Sequence, residues 1–314
     1  MKAINNGVWP TMITPFGTQG ELDKKVLAQT VEWYIARGVD GLFAVCQSSE
    51  MFFLSLEERV KLAALTRQYS DGRVPVIASG HVSGRFEDQV EELLALADTG
   101  VDALVLITNR LAALDESDSI WLRNLERLLA ELPAHIALGL YECPYPYKRL
   151  LSSDLLRACA DTGRFRFLKD TSCDVSLIRA KLEAVEGTAL KIFNANAATL
   201  LPSLQMGAAG YSGIMANFHP ELYVWLTRHW QAEPRQAEEL AALLSLTALI
   251  EKQLYPVNAK YFLSLEGVYK ELETRVQASE AFSATDRLEI EQLRLLAQRA
   301  AQQLGIQTAL PVTK

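Results

Sequence analysis

No run of about 18 or more apolar residues occurs in the 314-residue chain, so no segment is expected to span a membrane. The opening residues, Met1-Lys2-Ala3-Ile4-Asn5-Asn6-Gly7, lack an apolar core followed by a small-residue cleavage site, and no secretory signal is expected. Cysteine is sparse. Cys46, Cys143, Cys159 and Cys173 show neither CxxC spacing nor a histidine at zinc-site spacing, so no metal is expected. A chain that is 49% hydrophobic can build a large core without disulfides, and reduced thiols in the cytoplasm are expected. Excess positive charge is also missing: 31 Lys and Arg stand against 38 Asp and Glu, a net charge of −7. That balance argues against nucleic acid as a partner. No Pro-, Gly- or Ser-rich linker, low-complexity segment or charge run interrupts the chain.

What is present is an alternation of short apolar runs and longer amphipathic segments. Strands are expected at Val8–Thr14, Gly41–Val45, Val74–Ser79, Ala103–Ile107, Ile136–Tyr141, Phe165–Lys169, Leu190–Phe193 and, weakly, Gly210–Ile214. The helices between and after them are expected near residues 24–37, 56–69, 86–98, 117–131, 153–160, 175–185, 197–206 and 220–230. Ser55, with Glu58 three residues on, reads as a capping box that opens the second helix. The strands are apolar without strict alternation, as in a parallel sheet covered on both faces. Eight such units predict an α/β fold, a (β/α)8 TIM barrel, over residues 1–232. The first strand–helix turn, Thr14 to Gly20, is not GxGxxG, which speaks against a dinucleotide fold. From residue 233 to 314 the pattern is helical, near 236–254, 259–271 and 285–304, and predicts a C-terminal helical appendage packed on the barrel. Residues from about Gln307 to Lys314 read as a loose tail.

Such barrels carry their chemistry at the C-terminal ends of the strands. Lys169 ends the sixth strand. Burial of its stem would disfavour the ammonium, and a neutral amine forms Schiff bases with carbonyl substrates. The plainer alternative is a strand-end lysine paired with Asp170. Tyr141 ends the neighbouring strand and can pass a proton, or it is a core tyrosine whose hydroxyl reaches the surface. Gln47, Ser48 and Ser49 offer donors suited to a small carboxylate, or form a turn into the next helix. Arg110, after the fourth strand, could grip a distal carboxylate. His81 stands at a strand end, whereas His135, His219 and His229 read as structural or exposed.

These residues, in this order, resemble the dihydrodipicolinate synthase / N-acetylneuraminate lyase family. The turn Cys46-Gln47-Ser48-Ser49-Glu50 is similar to its Gly-[ST]-[ST]-Gly-Glu element and is followed by Leu54-Ser55-Leu56-Glu57-Glu58-Arg59. Tyr141-Glu142-Cys143-Pro144 matches Tyr-x-x-Pro, and Lys169-Asp170-Thr171-Ser172 matches Lys-Asp-Thr/Ser-Ser. Gly207-Ala208-Ala209-Gly210 matches a Gly-x-x-Gly turn running to Asn217. The resemblance implies a homotetramer without cofactor or metal. It implies an imine between Lys169 and pyruvate or another 2-oxo acid, and proton transfer by Tyr141. By position it also implies carboxylate binding at Ser48 and help from Ser212.

The departures bear on substrate. Thr108 to Ala112 lacks the tyrosine that the synthase lends across its dimer interface, and Pro146 stands where the synthase has arginine. Asn194-Ala195-Asn196-Ala197 lacks the lyase's acidic residue. Glu142 replaces an asparagine and either adds an acid–base group or points into the sheet. The expectation is therefore a class I lyase or aldolase that is neither true synthase nor true sialic-acid lyase. A dehydratase of a sugar-derived 2-oxo acid on the same imine and a non-catalytic 2-oxo-acid-binding barrel are the alternatives. A metal-dependent aldolase would need a His or carboxylate cluster that the strand ends do not offer.

Overall fold

The computed structural model describes residues 4–307. Eight parallel strands, each followed by a helix, form the barrel: β1 (Gly7–Val8), α1 (Lys24–Ala36), β2 (Leu42–Val45), α2 (Leu56–Ser70), β3 (Val76–Ala78), α3 (Phe86–Ala97), β4 (Ala103–Ile107), α4 (Asp118–Glu131), β5 (Ala137–Tyr141), α5 (Ser153–Asp161), β6 (Phe165–Asp170), α6 (Val175–Ala184), β7 (Lys191–Asn194), α7 (Leu200–Gln205), β8 (Gly210–Tyr211) and α8 (Pro220–His229). Three further helices follow, α9 (Pro234–Thr247), α10 (Val257–Leu265) and α11 (Ala284–Gln303). Among the described residues no helix is long and apolar enough to cross a membrane.

The sheet order runs β1-β8-β7-β6-β5-β4-β3-β2, every pair parallel. The first strand is shorter than expected, because Pro10 has no N–H to extend a ladder on β8. The chain instead crosses to β2: Thr11 bridges Phe43, the Phe43 N–H donates to the Pro10 carbonyl at 3.0 Å, and the Met12 N–H donates to Phe43 at 3.0 Å. Residues 7–12 thus close the barrel. The closure depends on glycine. At Gly210 (φ +157°) an added Cβ would lie 1.8 Å from the Gly7 carbonyl oxygen.

Period-two alternation sorts side chains between the barrel interior and the helical layer. Phe167 and Lys169 share the inner face of β6. Phe167 stacks on Phe193 with centroids 4.6 Å apart, meets Phe43 at 6.0 Å and meets Trp9 at 5.6 Å. These rings fill the barrel below Lys169, so the mouth has an apolar floor.

Three helices differ from their expected spans, and the one expected near 259–271 already ends at Leu265, ahead of Gly267 in the left-handed region (φ 76°). The expected helix near 197–206 begins only at Leu200, because Asn196 Oδ1 first turns the chain by accepting the Thr199 N–H at 3.0 Å. The expected 236–254 helix ends at Thr247, continues as a tight 3-10 turn over Ala248–Lys252, and breaks before Pro256. The N-terminal capping box of α2 is present, with Ser55 N–H to Glu58 at 2.8 Å and Glu58 N–H to Ser55 Oγ at 3.2 Å. Helices α9–α11 return to the barrel: Glu266, just after α10, accepts from Arg37, just after α1, and from Arg294 of α11, each at 2.6 Å. The tail expected from about Gln307 lies almost wholly outside the described residues.

A Gly210→Ala variant is expected to lose at least about 3 kcal/mol of stability or to fail to fold. Gly84→Ala, which meets nothing within 4 Å, is the control and should stay within about 0.5 kcal/mol. Equal melting curves for the two variants would show that the β1–β8 closure tolerates a side chain.

Candidate active site

β5 and β6 pair in register with Tyr141 beside Lys169. Both side chains are nearly fully buried, at 3% and 4% exposure, and the Lys169 Nζ lies 4.6 Å from the Tyr141 ring centroid. Burial pushes the Lys169 ammonium below the usual lysine value, against the opposing pull of Cys46, Cys143 and Glu251. Burial also holds the Tyr141 phenol well above its ordinary range, so it stays protonated at neutral pH.

Asp170 is not the partner of Lys169. It takes the opposite face of β6, where Lys181 of α6 reaches it at 2.5 Å and Glu142 at 2.5 Å. Glu142 also accepts the N–H groups of Leu151 (2.9 Å) and Thr171 (3.1 Å), and Asp170 accepts from Ser172 N–H at 3.0 Å and its hydroxyl at 2.7 Å. Burial opposes the Lys181 charge, but the two carboxylates prevail and hold its pKa above the usual lysine value. Glu142 is thus outside the mouth. The Glu142–Lys181–Asp170 cluster lies behind the strand ends and clamps them together. Among the described residues Lys169 has no carboxylate within ion-pair distance.

Lys169 and Tyr141 open into a cavity of about 300 Å³. Gln47 and Ser48 form one wall, with the Ser48 hydroxyl 3.1 Å from Thr11 and Gln47 Oε1 accepting from the Cys143 thiol at 3.3 Å. Ser49 has a different position from its neighbours. Its hydroxyl accepts the Cys46 N–H at 2.7 Å and donates to the Cys46 carbonyl at 2.7 Å, so it holds the turn and lines no cavity wall. Ser212 is likewise spent on the scaffold, donating to the Trp9 carbonyl at 2.9 Å, and it is Gly213 and Ile214 that reach the cavity. Arg110 stands behind Phe52, its guanidinium 5.4 Å from the ring centroid, and is absent from the wall. His81 is buried and accepts the Ile107 N–H. Burial drops its pKa to about 4, so it is a neutral brace and does not line the mouth.

Several wall residues escaped the sequence reading. Lys148 lines the cavity and donates to the Thr171 carbonyl at 2.8 Å. Glu251, Tyr255 and Pro256 arrive from the segment between α9 and α10, and Val276 from the loop before α11. The Tyr255 hydroxyl accepts from Asn217 Nδ2 at 3.1 Å. The only sequence signal was the Leu254-Tyr255-Pro256 interruption of a helical pattern. The loop before α11 is tied down by Glu50, whose carboxylate accepts the N–H groups of Arg275 (2.5 Å) and Val276 (3.0 Å) and lies 3.5 Å from the buried Lys260 Nζ. Arg275 in turn holds Glu58 at 2.6 Å. A wider depression of about 610 Å³ lies around Lys191, at the N-terminal end of β7 and so at the end of the barrel away from Lys169.

Eight parallel strands closed into a barrel, with a buried lysine and tyrosine side by side at the C-terminal ends of two of them, define the class as a (β/α)8 barrel with its site at that end. The chain belongs to the Dihydrodipicolinate synthetase family, whose sequence profile matches residues 5–118 and 134–287. It is 27% identical over 267 residues to the 4-hydroxy-tetrahydrodipicolinate synthase of Anaplasma marginale strain St. Maries, covering 83% of this chain and 85% of that one. It is 26% identical over 267 residues to the probable 2-dehydro-3-deoxy-D-pentonate aldolase YjhH of Escherichia coli K12, covering 82% of each. The fold is shared with YagE of Escherichia coli K12, solved in complex with pyruvate, at a TM-score of 0.82 and 24% identity over 95% of this chain and 99% of that one. Dihydrodipicolinate synthase DapA-2 of Bacillus anthracis superposes with a TM-score of 0.84 at 19% identity, covering 94% and 99%.

A Lys181→Met variant leaves two buried carboxylates facing each other without a cation. It is expected to lose about 3–5 kcal/mol in urea denaturation. A loss below about 1 kcal/mol would show that the ammonium does not hold the strand ends.

Proposed function

We propose that this chain is a class I lyase of the aldolase type that binds pyruvate or a related 2-oxo acid as an imine on Lys169. The observation that carries the reading is the buried Lys169 amine, free of any carboxylate partner among the described residues and set against the Tyr141 phenol in a cavity. The relatives named as synthase and aldolase support it, as does the pyruvate bound to YagE.

In the proposed sequence Nζ adds to the carbonyl carbon and the oxygen leaves as water. The iminium then accepts the electron pair of the breaking C–C bond and becomes an enamine. In the reverse direction the enamine attacks an aldehyde, and Tyr141 donates its proton to the developing alkoxide. Gln47 and Ser48 meet the carboxylate of the oxo acid. Ser49 and Ser212 act one step back, by fixing the backbone of the walls. Arg110 is not assigned to substrate, since Phe52 stands between it and the cavity. The same proposal includes a homotetramer, testable by sedimentation. It also includes a cytoplasmic setting, in keeping with buried free thiols at Cys46, Cys143 and Cys159.

The test is borohydride reduction in the presence of pyruvate and a panel of 2-oxo acids, followed by peptide mapping. A reduced adduct on Lys169, lost in Lys169→Ala, is expected. Tyr141→Phe should still form the adduct while turnover falls by roughly 10²- to 10⁴-fold. A folded protein that gives no adduct with any oxo acid would overturn the reading.

A further inference from the structure

Two carboxylates line the cavity, and they are in opposite situations. Glu50 is fully engaged by Lys260 and by the Arg275 and Val276 N–H groups. Glu251 has no hydrogen bond or ion pair to its carboxyl among the described residues. Its backbone is nonetheless fixed. It sits in the 3-10 turn Ala248–Lys252, which is held by Asn258 Nδ2 donating to the Ile250 carbonyl at 2.9 Å and by the Gln253 N–H donating to that carbonyl at 3.0 Å. A rigidly carried, half-buried carboxyl without a hydrogen bond or ion pair, facing the cavity of an amine that also lacks both among the described residues, is costly to stability unless it has a use.

We infer that Glu251 is a proton donor in the chemistry at Lys169, supplying the proton with which the carbinolamine oxygen leaves as water. The inference rests on the imine reading given above. The step balances with the neutral pair as reactants. The Lys169 amine adds to the carbonyl carbon of the oxo acid, and the C=O π pair moves to oxygen, which takes one proton from the attacking nitrogen. The C–O bond then breaks. Its electrons leave with the hydroxyl, which takes the Glu251 proton and departs as water. The products are a protonated iminium, a carboxylate and one water, with no oxidant, reductant or further reactant. The new cation and the new anion stand in one water-poor cavity, where their attraction is far stronger than in bulk water.

The titration behaviour agrees with this geometry. Burial raises the Glu251 carboxyl to about 7, against the opposing pull of Lys169, so a substantial protonated fraction exists near neutrality. The other groups that face it are Lys169 on β6, Tyr211 on β8, Tyr223 on α8, Cys173 after β6 and Tyr255 on its own segment. The three tyrosines and Cys173 are all pushed upward, chiefly by burial, and so remain neutral where Glu251 titrates.

The test is the single-turnover rate of imine formation with saturating pyruvate, trapped by borohydride in a rapid-quench series from about pH 5.5 upward through the range in which Glu251 loses its proton and on to about pH 10. Wild type should rise as the Lys169 amine is freed and fall as Glu251 loses its proton, giving a bell. Glu251→Gln, neutral at every pH and of the same shape, should be slower by roughly 100-fold and should lack the alkaline fall. Glu251→Asp should regain part of the rate and the fall. An unchanged rate and profile in Glu251→Gln, with the adduct still on Lys169, overturns the inference and leaves the imine reading standing. A wild-type profile without an alkaline fall overturns it too, whatever the stability of the variants. Absence of any adduct in the wild type removes the imine reading and this inference with it.

Discussion

Lys181 places one positive charge between two fully buried carboxylates, and the geometry of the mouth follows from where they sit. Glu142 comes directly after Tyr141, and Asp170 directly after Lys169. In extended backbone neighbouring side chains point to opposite faces. Anchoring Glu142 and Asp170 outward on α6 therefore turns Tyr141 and Lys169 inward. Removing carboxylates from water is expensive, so the anchor persists only with the ammonium in place and the remaining lone pairs filled. The Leu151, Thr171 and Ser172 donors do that filling. The same cluster takes away the carboxylate that would otherwise have neutralised Lys169. A lysine pushed below the usual ammonium pKa at the mouth and one held above it in the helical layer are thus two sides of one arrangement.

Below this pair the barrel is filled by aromatic rings, and above it the cavity is closed by chain that comes much later in sequence. Phe167 and Phe193 deny water access from beneath. Glu50 works from the other direction. Its backbone is left-handed (φ 62°), and its carboxylate holds residues 275 and 276 over the mouth. Lys260 needs Glu50 as much as the loop does, since burial drops its pKa to about 8 despite that partner.

Much of the architecture was legible in the sequence because it rests on local periodicity. Eight apolar runs with helices between them give a parallel barrel, and a lysine or tyrosine at the end of such a run points to the mouth. The family resemblance added order and spacing and is now matched by the profile over most of the chain. Legibility failed where a side chain's direction depends on partners far away. Ser48 and Ser49 are adjacent and chemically alike, yet one faces the cavity and the other locks the turn through Cys46. Ser212 looked available until the Trp9 carbonyl, some two hundred residues earlier, was seen to take its hydroxyl. Arg110 lies at a strand end as read, but the ring of Phe52 intervenes. Glu251 was hidden because a helical pattern that runs on to Leu254 masks the 3-10 turn at Ala248–Lys252, and the break at Tyr255-Pro256 does not by itself say that its residues turn toward the barrel.

The late position of those last residues has a consequence for biosynthesis. A ribosome makes β6, with Lys169 at its end, well before it makes the 3-10 turn at Ala248–Lys252 or the loop that Glu50 captures. During that interval the barrel strands can form, but the cavity lacks one wall and its cover. Lys169 is then still open to bulk water, which favours its ammonium form. The enclosure that lowers the Lys169 pKa is completed only with the C-terminal helices, so the order of synthesis delays that shift until the fold is nearly whole.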